Sequence, residues 1–82
     1  MREEREVLVK HLGRRIRMIR EERNISRAEA AKLVGISART LASYERGERE
    51  ITMETAQVLA GAYKTTVTNL TNCGNILDEI RI

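Results

Sequence analysis

RAEAAKLVGISARTLASYERG, Arg27 to Gly47, is the stretch whose reading decides the fold. It reads as two short helices joined by a tight turn that pivots on Gly35. Apolar residues fall at Ala30, Ala31, Val34, Ile36, Leu41 and Tyr44. That spacing gives each helix one inward face, and the turn points both faces at a shared core. Ser26 and Glu29 form the S-x-x-E signature of a helix start, and Ser37 caps the second helix, which Gly47 ends. What remains outward on the second helix is small and polar: Ser37, Ala38, Arg39, Thr40 and Ser43.

The flanks read as support for that unit. Before it, Leu8, Leu12, Ile16 and Ile19 lie on one helical stripe with Val9 beside them, predicting a helix that starts between residues 3 and 11 and runs to about Arg23. Glu3, Glu4 and Glu6 near its start and Arg20 and Arg23 near its end suit the helix dipole. Gly13 is expected to weaken the middle and leave residues 1–11 as a frayed extension. Asn24 is a left-handed stop. After the unit, Thr52 caps a fourth helix whose inner stripe is Met53, Ala56, Leu59, Ala60 and Tyr63, with Val58 flanking it. Thr66 caps a short fifth helix with Val67 and Leu70 inward, and Asn72 to Asn75 read as a turn. No proline interrupts the chain and no stretch alternates with period two. The expectation is an all-α, compact five-helix domain at residues 12–70. An N-terminal extension of its first helix precedes it at 1–11, and a tail follows at 71–82.

Composition bounds the rest. Eighty-two residues make one small domain, and with no Phe or Trp its core draws on aliphatics, Met and two Tyr. A single core of this size supplies roughly 3–5 kcal/mol. The one cysteine, Cys73, has no partner for an internal disulfide, which fits a reducing compartment. There is no apolar run of the ~20 residues that span a bilayer and no signal-peptide pattern at the N-terminus, so the expectation is a cytoplasmic protein with no membrane partner.

Charge is uneven. Residues 1–9 sum to −1, residues 10–49 carry eleven Lys/Arg against five Glu for +6, and residues 50–82 sum to −2, which together give the net +3. A basic middle between acidic ends is the footprint of a polyanion binder; a solvated surface of i,i+4 ion pairs is the plainer alternative. His11 has no second His or Cys at ligand spacing, so no metal is expected. There is no phosphate-cradling glycine loop and no Ser with a nearby His base. The chain does not read as an enzyme, and no cofactor is expected.

The succession IRMIREERNIS, AAKLVGIS, TLASYERGERE, ITMETAQVLAGAY and TVTNL, from Leu12 to Leu70, resembles the helix-turn-helix domain of the phage-repressor and Cro type, the XRE family. The A-x-x-x-G-I-S turn followed by Y-E-R-G is its specific part. The resemblance implies sequence-specific binding of double-stranded DNA with the third helix in the major groove. Base contacts would fall on Ala38, Arg39, Thr40 and Ser43. Arg39 suits a bidentate bond to guanine, and Ala38 suits a thymine methyl. Phosphate contacts would fall on Arg27, Ser37, Arg46 and Arg49; at Arg27 the family usually has Gln. A structural ion pair would join Arg20 to Glu45.

Such modules bind palindromic operators as homodimers with half-sites about 34 Å apart. The dimer surface would be helix five with the tail, or Val7 to Val9. A small repressor or autoregulator is the function implied. The alternative is an antitoxin or other protein-interaction module that grips a protein partner through the tail.

Overall fold

A computed structural model describes residues 2–72. Five helices follow one another: α1 (Arg2–Glu22), α2 (Arg27–Val34), α3 (Ala38–Glu45), α4 (Met53–Ala62) and α5 (Val67–Leu70). No strand occurs among the described residues. The expected turn, tail and dimer surface beyond Asn72 lie outside them.

Each helix from α2 to α5 starts at a hydroxyl. Ser26, Ser37, Thr52 and Thr66 all sit in extended backbone and accept a hydrogen bond from the amide three residues on. That bond satisfies one of the otherwise unpaired donors at a helix start and contributes about 1 kcal/mol. The stops are equally local. Asn24, Gly35, Gly47 and Lys64 all have positive φ, of 55°, 83°, 73° and 54° respectively.

The core is small and aliphatic. Ile16 and Ile19 of α1, Ala30 and Ala31 of α2, Leu41 of α3, Ala56, Leu59 and Ala60 of α4, Tyr63 and Leu70 form one buried cluster. Ile25, Val34, Ile36, Ile51, Ala62 and Val67 pack around it. Alanines dominate where α2 meets its neighbours, so the helices approach closely and α3 is carried on a compact base. Met53, expected on the inner stripe of α4, is instead 66 % exposed. It stands in the first turn, beyond the edge of the core, where Ile51 from the preceding loop packs in its place.

Gly13 corrects the expectation of a frayed extension. α1 runs unbroken through it, and Gly13 is buried. A Cβ there would lie 2.5 Å from the Tyr44 carbonyl oxygen and 2.6 Å from that of Glu45. The missing side chain is therefore what lets α1 cross the end of α3. One turn earlier, Lys10 lies against Gly47, where a Cβ would come within 2.8 Å of the Lys10 Cα. Leu8 and Val9 are half-buried, and Arg5 bonds Glu50 in the loop after α3. Residues 2–11 thus continue the helix, which packs from Leu8 onward.

Candidate nucleic-acid interface

The α2–α3 turn is short because its backbone bonds close on one carbonyl. Gly35 and Ile36 both donate to the Ala31 oxygen, at 2.9 and 3.0 Å. Gly35 supplies the left-handed residue, Ile36 returns to the core, and Ser37 begins α3. The turn therefore fixes where α3 starts and which of its faces is left outside.

On that face the candidate base readers divide into two kinds. Ala38 and Arg39 are exposed, and Arg39 makes no side-chain hydrogen bond or ion pair to any described residue. Thr40 and Ser43 are half-buried and locally bonded. The Ser37 hydroxyl accepts from the Thr40 amide at 3.0 Å and donates to the Thr40 hydroxyl at 2.9 Å. The Ser43 hydroxyl donates back to the Arg39 carbonyl at 3.2 Å. Ser37 is accordingly occupied as a helix cap.

The candidate phosphate-binding arginines also differ. Arg49 is exposed and has no ion-pair partner among the described residues. Arg46, the C-cap of α3, makes a two-pronged pair with Glu48, Nε to Oε2 and Nη2 to Oε1, both at 3.0 Å. That bond raises the Arg46 pKa and lowers that of Glu48. Both groups are solvated, so the pair is weak and can be exchanged for another anion. Arg27 is held more firmly. Its Nε and Nη2 both lie 3.0 Å from Glu45 Oε1.

Glu45 thus faces two guanidiniums. Arg20 Nε donates to Glu45 Oε2 at 2.7 Å and its Nη2 to Oε1 at 3.2 Å, while Nη1 donates to the Ile25 carbonyl at 2.9 Å. The Arg20 side chain is 8 % exposed and that of Glu45 1 %. Hydrogen bonding to Glu45 raises the Arg20 pKa, burial opposes the rise, and the carboxylate's charge adds to it. The Tyr63 hydroxyl lies in the same region, buried and without a hydrogen-bond partner among the described residues. Its pKa is pushed up to about 12, chiefly by burial and then by the Glu45 charge, against the pull of Arg20.

Several of these roles are absent from the sequence reading. Arg27 belongs to the buried ionic cluster. Arg23 donates to the Tyr63 carbonyl at 2.7 Å, which places a cation on the C-terminus of α4. Arg15 bonds the Asn69 carbonyl and so ties α1 to α5. His11 lies 3.0 Å from the Asn72 carbonyl on the same side. No group of three potential metal ligands occurs among the described residues. No helix there is long and apolar enough to cross a membrane.

Comparison with known proteins agrees with this geometry. The chain superposes on the clp gene regulator ClgR from Corynebacterium glutamicum with a TM-score of 0.80 and 22 % identity, covering 90 % of this chain and 81 % of that one. At that identity the likeness speaks for the fold. No curated protein sequence matches the chain. The helix-turn-helix family profile matches residues 16–70, from the buried stripe of α1 to the end of α5. With two thirds of its length matched and its two central helices joined at Gly35, the chain belongs to the XRE-type family of helix-turn-helix DNA-binding proteins.

Proposed function

We propose that the protein is a small transcriptional repressor or autoregulator that binds a palindromic operator as a homodimer, with α3 of each copy in the major groove. The observation that carries the reading is the outward start of α3. Ala38 and Arg39 are exposed there, and Arg39 is uncommitted among the described residues, while the same helix is anchored behind by Leu41, Tyr44 and Glu45. A guanidinium in that place can fork onto guanine O6 and N7, and the alanine leaves room for a thymine methyl. Thr40 and Ser43 keep free acceptor capacity for base edges beside them. Arg27, Arg46 and Arg49 would meet phosphates, joined by the Ser37 hydroxyl when its proton turns from Thr40 to the phosphate. These contacts set register and salt dependence without carrying sequence information directly.

Selection of bound sequences from random duplex DNA tests this in one step. A palindromic product with half-sites about one helical turn apart supports the dimer and the groove assignment together. A product without symmetry refutes the dimer, and no enrichment at all refutes sequence-specific binding.

A further inference from the structure

We propose that Glu45 is a positioning residue for DNA binding: through Oε1 it holds the Arg27 guanidinium at the start of α2 in the orientation in which it meets a phosphate. The inference rests on the duplex-binding reading above and assigns the buried ion pair a second task within it.

Arg20 alone neutralises Glu45. Its Nε and Nη2 reach both carboxylate oxygens and its Nη1 reaches the Ile25 carbonyl, so each of its nitrogens is used. Arg27 then adds a second positive charge to the same carboxylate, leaving the three groups with a formal charge of +1. The excess sits on the member that reaches solvent, since the Arg27 side chain is 39 % exposed against 8 % for Arg20. Helix stability does not explain a cation there. Arg27 is the first residue of α2, directly after the Ser26 cap, where the helix dipole disfavours positive charge.

What the arrangement supplies is order. An arginine usually loses rotamer freedom when it binds an anion. Here Nε and Nη2 are already docked on Glu45 Oε1, and Nη1 makes no bond to a described residue. The cost of fixing the side chain is met on folding instead of on binding. A lysine would carry the same charge without the planar fork that fixes its direction.

The test measures binding of the full chain to a short duplex of arbitrary sequence across a salt series, with far-UV circular dichroism to confirm that each variant is folded. Arg27→Gln is expected to reduce the slope of log K against log salt by about 0.9, the loss of one phosphate contact. Arg27→Lys is expected to keep the slope but weaken binding about threefold to tenfold, the equivalent of one long side chain now ordered on binding. Glu45→Gln separates the readings by sign. It raises the net charge by one, so electrostatics alone predicts tighter binding, whereas loss of positioning predicts weaker binding. An unchanged slope for Arg27→Gln, wild-type affinity for Arg27→Lys, or tighter binding by folded Glu45→Gln overturns the proposal. If Glu45→Gln does not fold, the two Arg27 variants decide. A wild-type chain that does not bind duplex DNA overturns the duplex-binding reading itself, and this proposal with it.

Discussion

At one end of α3, Ala38 and Arg39 stand in solvent with no interior neighbour to satisfy; at the other, Tyr44 and Glu45 are buried beneath Gly13 of α1. The whole helix is only eight residues long. The exposed end contributes almost nothing to the core, so its side chains are free to answer to a ligand. The buried end answers to three elements at once: α1 through Arg20 and Gly13, α2 through Arg27, and the region of Tyr63. For the base reading proposed for α3 this division matters, because a reading surface is useful only if its far end is immobile.

The largest effect should come from the buried end. Glu45→Ala leaves Arg20 buried and unpaired, which costs about 3–5 kcal/mol. That equals the whole stability expected of a core this size, so thermal denaturation should find the variant largely unfolded at 25 °C. A folded variant with near-native Tm would break the contrast between the two ends. Gly13→Ala probes the same place through the backbone. Better helix propensity favours alanine by about 1 kcal/mol, but overpacking against the Tyr44 and Glu45 carbonyls costs about 1–3 kcal/mol. Those atoms belong to backbone that cannot turn aside, so a net loss in urea unfolding is expected.

At the exposed end the effect moves from stability to binding. Arg39→Ala should leave the unfolding free energy within about 0.5 kcal/mol of wild type. It should cost about 1–3 kcal/mol of operator binding and relax preference at one base position. Unaltered affinity for the selected operator would remove Arg39 from the base-reading set. The smallest effect sharpens the buried side. Tyr63→Phe keeps the volume and removes an unpaired hydroxyl, so stability at pH 7 should shift by no more than about 1 kcal/mol. Alkaline pH makes it visible. The folded pKa of about 12 lies above the ordinary tyrosine value of 10. The unfolded chain therefore loses its proton first, and the stability Tyr63 supplies is full below about pH 10 and falls as pH rises towards 12. A Tm series over that range should show a shallower decline for the Phe variant.

Local features were the legible ones. The caps at Ser26, Ser37, Thr52 and Thr66 and the stops at Asn24 and Gly47 depend on a few neighbouring residues, and the structure has them where the sequence pattern predicts. Periodicity also found the core stripe of α1 through Ile16 and Ile19. It misplaced Met53, because spacing says which face a residue is on and not whether the core extends that far along the helix. The packing of Gly13 and the anchor of Arg27 escape spacing for a related reason. What explains Gly13 is the pair of α3 carbonyls above it, and what holds Arg27 is a carboxylate eighteen residues away. Both are properties of helices meeting in space. The candidate contacts Ala38, Arg39, Thr40, Ser43, Arg46 and Arg49 come from position in a recognised pattern. The geometry adds which of them are committed to partners within the chain.

The Ser37 cap has one more consequence. Because α3 is started by a hydroxyl outside the helix and aligned by residues from Leu41 onward, positions 38 and 39 are structurally interchangeable with most other side chains. If those two positions read bases as proposed, a library randomised there would reprogram target preference on an unchanged scaffold, and new specificities would arise in single mutational steps without a compensating change elsewhere.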